Sequence, residues 1–101
     1  MKFIAMNMFK ITSGKGQDFE KIWEERETYL DSVPGFIQLH LVRGRAEENF
    51  TIYASHSTWE SRQDFENWTK SEMFRKSHKG AGEHRDIYHE HPKFEGFEVI
   101  F

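Results

Sequence analysis

The segment Lys2–Thr12 alternates like a β-strand yet is apolar on both faces, and no other feature constrains the fold of this chain as tightly. Phe3, Ala5, Phe9 and Ile11 share one face, and Ile4, Met6 and Met8 share the other. A strand that is apolar on both sides must be covered twice. A chain of 101 residues has helical segments enough for one side of a sheet only, so the second cover is expected to be another copy of the chain, in a homodimer. The first face also holds Asn7, a polar amide in an apolar row that needs hydrogen-bond partners if it is buried.

Beyond a Ser13-Gly14-Lys15-Gly16 break, Phe19, Ile22, Trp23, Arg26, Leu30 and Val33 recur at spacings of three and four, which predicts a helix over Gln17–Asp31. Pro34-Gly35 ends it. Two strands follow as a hairpin, Phe36–Val42 and Phe50–Thr58, around a charged turn at Arg43–Glu48. In the first, Phe36, Gln38, His40 and Val42 lie opposite Ile37, Leu39 and Leu41; in the second, Phe50, Ile52, Ala54 and His56 lie opposite Thr51, Tyr53, Ser55 and Ser57.

Ser61-x-x-Asp64 resembles a capping box and opens a second helix bearing Phe65 and Trp68, with a break expected at Ser71. A short helix from about Glu72 puts Phe74 and His78 one turn apart, before Gly80-Ala81-Gly82. Glu83–Lys93 reads as an exposed polar connection, and Phe94–Phe101 as a last strand whose edge offers a dimer contact. The order β-α-β-β-α-β is that of the ferredoxin-like split βαβ arrangement: α+β, an antiparallel sheet with helices on one face, in a single domain over residues 1–101.

Composition removes whole classes of function. With no cysteine there is no disulfide, no thiolate nucleophile and no cysteine-ligated metal. A net charge of −3 without any basic block argues against a nucleic-acid partner. No apolar run approaches the roughly 18–20 residues of a membrane span, and Lys2 leads into an amphipathic stretch rather than a signal sequence, so a cytoplasmic protein is expected. G-x-S-x-G, P-loop and G-x-G-x-x-G signatures are all missing, which leaves a small-molecule ligand handled by other means.

Six histidines, three tryptophans and Asn7 remain as candidates for chemistry. His78 is either an inert histidine at a helix end or an imidazole projecting into the same apolar space as Phe74. His40 and His56 read as a cross-strand pair, His89 and His91 as loop residues, and Trp23 and Trp68 as core rings.

Taken together, Met1-Lys2-Phe3-Ile4-Ala5-Met6-Asn7, Pro34-Gly35-Phe36 and Trp59-x-Ser61-x3-Phe65-x2-Trp68-x-Lys70-Ser71-x2-Phe74-x3-His78 resemble the antibiotic-biosynthesis-monooxygenase superfamily of dimeric α+β barrels. Within it, the combination of Asn7, Trp68 and His78 is similar to the IsdG-type haem-degrading monooxygenases, over about the first four-fifths of the chain. That resemblance implies a haem site made by Asn7, Trp23, Arg26, Phe65, Trp68, Phe74 and His78. His78 would ligate the iron, Trp68 would distort the macrocycle, Asn7 would donate a hydrogen bond on the distal side, and Arg26 would pair with a propionate. Haem would be both substrate and cofactor, with dioxygen and an external electron donor, a reductase, as further partners. The resemblance also leaves room for a cofactor-independent monooxygenase and for a haem carrier without turnover. His84, His89 and His91 match no family motif and stay unassigned.

Overall fold

The computed structural model describes residues 1–26, 29–77 and 86–101. Its elements are β1 (Phe3–Thr12), α1 (Gly16–Glu25), a single 3-10 turn at Leu30–Ser32, β2 (Phe36–Ala46), β3 (Phe50–Trp59), α2 (Arg62–Thr69), α3 (Glu72–Ser77) and β4 (Lys93–Glu98). The strands form one four-stranded antiparallel sheet in the order β2–β3–β1–β4, with the helices on one face: the ferredoxin-like α+β arrangement that the order of elements predicts.

Several boundaries differ from the sequence expectation, each for a physical reason. The first helix stops at Glu25 instead of reaching Asp31, and Arg26 turns into an extended conformation. Its last turn holds no basic residue, while Glu24 and Glu25 set negative charge against the negative end of the helix dipole. Leu30 reaches the core from the separate 3-10 turn. The charged segment Arg43–Ala46 continues β2 instead of turning, as an edge strand whose Arg43 is held by Glu20 and whose Arg45 is held by Glu47. A bulge between Phe36 and Gln38 moves Phe36 to the helix side, with Leu39, against strict alternation. In the polar connection, Ile87 is buried and Tyr88 bridges Ile11 of β1. The last strand ends at Glu98 rather than Phe101.

Other local expectations are met. Pro34 and Gly35 are the central residues of a type II turn, closed by the Phe36 amide on the Val33 carbonyl at 3.2 Å, with Gly35 at φ +83°. Ser61 caps α2 by accepting from the Asp64 amide at 3.1 Å. The chain breaks between α2 and α3, where Ser71 Oγ donates to the Trp68 carbonyl at 2.6 Å and accepts from the Phe74 amide at 3.2 Å.

The core sits between sheet and helices in two aromatic clusters. One gathers Phe9, Ile11, Phe19, Tyr53 and Ile87; the other gathers Phe3, Ala5, Leu30 and Trp59. On the opposite face of the sheet, Ile4, Met6 and Ile52 are half-buried, while Met8, Val42 and Phe97 are exposed.

Candidate functional site

Register decides where the site is. On the helix side of the sheet Phe3 pairs with Trp59 and Phe9 with Tyr53, but the two rows between them pair Ala5 with Ser57 and Asn7 with Ser55. Small side chains flanked by large ones cannot fill the space beneath the helices, so the two core clusters part and leave a cavity of about 490 Å³. That volume lies within the roughly 300–1,000 Å³ typical of small-molecule sites. Ala5, Asn7, Ser55 and Ser57 make its floor, and Trp23, Leu39, Trp59, Phe65, Trp68, Phe74, Tyr88 and Phe94 its walls.

The aromatic walls are held firmly. Trp59, fully buried, donates its indole N–H to Ser57 Oγ at 3.0 Å. Trp68 lies tilted against Trp59 with ring centroids 5.4 Å apart and meets the edge of Phe74 at 4.8 Å, a contact fixed by the Ser71 link between α2 and α3. Phe65 stacks on Phe94 of β4 at 5.6 Å and 5°. A flat, apolar slot results, with few polar groups.

Those groups are informative. The Asn7 side chain makes no hydrogen bond among the described residues, although it is half-buried and central in the floor. Arg26 lays its guanidinium over the Trp23 ring, 4.4 Å from the centroid, and has no carboxylate partner among the described residues. Burial pulls this guanidinium below its ordinary value, with the charge of Tyr88 working the other way. Burial in turn pushes the Tyr88 phenol up, opposed by Arg26.

Six of the seven residues singled out from the sequence therefore line one cavity: Asn7, Trp23, Arg26, Phe65, Trp68 and Phe74. His78 and His84 lie outside the described residues. His40 and His56 pair across β2 and β3 on the face away from the cavity, and His89 packs on the Phe50 ring at 5.1 Å. Among the described residues no group of three or more histidines and carboxylates could hold a metal ion. Sequence reasoning missed Ser55, Ser57 and Tyr88. The serines alternate with Ala54, His56 and Thr58, so nothing in that run marks them as lining a cavity, while Tyr88 is hidden in a polar stretch; their shared signal is only that small or amphipathic residues stand across the sheet from Asn7 and beside Ile11.

Residues 2–80 match the family model described as antibiotic biosynthesis monooxygenase. A staphylobilin-producing haem oxygenase of Staphylococcus aureus is 29% identical over 79 residues, 78% of this chain and 73% of that protein. The solved structure of the haem degrader MhuD from Mycobacterium tuberculosis, with two haems bound in its active site, superposes with a TM-score of 0.75 at 25% identity, covering 98% of this chain and 96% of that one. SnoaB from Streptomyces nogalater, a cofactor-independent oxygenase, superposes with a TM-score of 0.69 at 19% identity, covering 97% and 92%. The chain belongs to the antibiotic biosynthesis monooxygenase family.

Proposed function

We propose that this member of the antibiotic biosynthesis monooxygenase family binds haem in the cavity between helices and sheet and cleaves the porphyrin oxidatively, releasing iron. The observation that carries the reading is the Asn7 amide: a hydrogen-bonding group that makes no bond among the described residues, in the floor of a flat slot walled by Trp23, Trp59, Phe65, Trp68 and Phe74. An apolar slot suits a macrocycle, and a donor in its floor suits an oxygen reactant approaching its face. Likeness to haem-degrading relatives supports the same choice.

Haem, as substrate, supplies the redox-active iron and the oxidisable ring, while dioxygen and an external reductase supply oxidant and electrons. The chain's own residues do the rest. Asn7 donates from Nδ2 to the oxygen reactant and orients it. Trp68, braced by Trp59 and Phe74, would pack against the macrocycle and favour its distortion. Arg26 pairs with a propionate by a charge-assisted bond that relieves its own desolvation. His78, next in sequence after the last residue of α3, is the proposed iron ligand on the family motif. A homodimer through the open sheet face is part of the proposal. Met8, Val42 and Phe97 stand exposed on that face, which leaves apolar surface for a second copy to cover.

Titration with hemin, followed by oxygen and ascorbate, tests the reading. Wild type should shift the Soret band and then bleach it. His78→Ala should abolish the shift, and Asn7→Ala should bind but not turn over. A Soret band that survives oxygen and reductant would make the protein a carrier. Oxidation of a quinol without haem would place it with the cofactor-independent enzymes; either result overturns the proposal.

A further inference from the structure

Tyr88 belongs to no motif, yet it lines the same cavity as Arg26 and is close enough for the two to interact electrostatically. Its backbone is fixed by the bridge to Ile11, and its ring packs on Phe9 at 6.1 Å and edge-on to Phe19 at 6.0 Å, so the phenol has little freedom to turn away. The hydroxyl makes no hydrogen bond among the described residues. Arg26 is a donor without any acceptor capacity, and the Tyr88 phenol, protonated at neutral pH as any tyrosine is, can offer a proton as well. Two half-buried groups that can donate thus line the same apolar slot, and neither makes a hydrogen bond among the described residues.

Two other cations of β1 and its following turn are paired: Lys10, on the other face of the sheet, with Glu90 at 3.1 Å and Lys15 with Asp86 at 3.8 Å. Arg26 carries the one positive charge that lines this cavity, without a carboxylate among the described residues. A single negative charge spread over two oxygens satisfies a guanidinium and a phenol together.

We infer that Tyr88 and Arg26 form a two-donor clamp for one carboxylate of the ligand, which fixes that edge of the ligand in the cavity. This deepens the haem reading by assigning one propionate to a specific pair, but it is tested without iron. Binding of protoporphyrin IX and of its dimethyl ester is followed by quenching of tryptophan fluorescence. Wild type should favour the free acid by about tenfold or more. Tyr88→Phe should weaken the acid by about tenfold and leave the ester unchanged, and Tyr88→Phe combined with Arg26→Gln should cost less than the product of the single losses. Equal weakening of acid and ester would mean that Tyr88 only shapes the wall, and no preference for the acid in wild type would remove the clamp altogether; either overturns the inference. Preference for the acid without bleaching of haem would uphold the clamp and reject the haem-degrading reading. Bleaching without that preference would do the reverse.

Discussion

Replacing Gly35 by alanine should damage both stability and ligand binding, and the structure separates two contributions. Gly35 lies at φ +83°, a left-handed conformation that costs an L-residue about 1–2 kcal/mol, partly offset by the roughly 0.4–1 kcal/mol gained from a stiffer unfolded chain. An added Cβ would also stand 2.5 Å from Asp64 Cβ and closer still to Asp64 Cγ and Oδ2. Asp64 cannot swing aside freely, because Ser61 Oγ holds its carboxylate at 2.9 Å and its amide at 3.1 Å. Relief therefore requires α2 to move, which loses a cap of about 1 kcal/mol and adds overpacking strain of about 1–3 kcal/mol. The total is on the order of 2–5 kcal/mol, or about 10–30 °C in melting temperature for a chain of this size. Gly14 supplies the control, since it lies at φ +87° with nothing within 4 Å of an added Cβ. Gly14→Ala should cost only about 0.5–1 kcal/mol. Thermal melts of both variants give the difference directly. Gly35→Ala should in addition weaken hemin binding, because α2 carries Phe65 and Trp68 into the cavity. If the two variants melt together, the contact between Gly35 and Asp64 does not set the seat of α2 and the reasoning fails.

Two further outcomes follow from the same geometry. Ser55→Leu, on the cavity floor, should keep the melting temperature within a few degrees, because the side chain grows into open space, yet weaken hemin binding by more than tenfold; retained affinity would show that the ligand does not use this floor. Tyr53 is buried and donates to Glu20 at 2.5 Å, and its pKa is raised first by burial and then by that bond. A raised folded value means that this contribution to stability is fully present below about pH 10 and is lost as pH climbs through the folded value. Tyr53→Phe should therefore flatten the alkaline limb of the stability profile, and an unchanged slope in denaturant melts between pH 9 and pH 11 would contradict the assignment.

The order of strands and helices, the Pro34-Gly35 turn, the cap at Ser61 and the interruption at Ser71 could all be read along the chain, because each depends on residues within about one turn of one another. Asn7 stood out for the same local reason, as an amide in an apolar row. The end of α1 was not legible: its spacing of apolar residues continues past Glu25, and what stops it is charge at a helix terminus together with the stacking of Arg26 on Trp23. The cavity was less legible still. Ser55 and Ser57 look like solvent residues until antiparallel register sets them opposite Asn7 and Ala5, between rows of large side chains. Tyr88 joins the site through a bridge to Ile11, 77 positions earlier in the chain, and through its ring contacts with Phe9 and Phe19. Periodicity specifies which side of a strand or helix a residue occupies. Pairing between distant segments decides which small residues coincide, and that coincidence makes the hollow in which a ligand can lie.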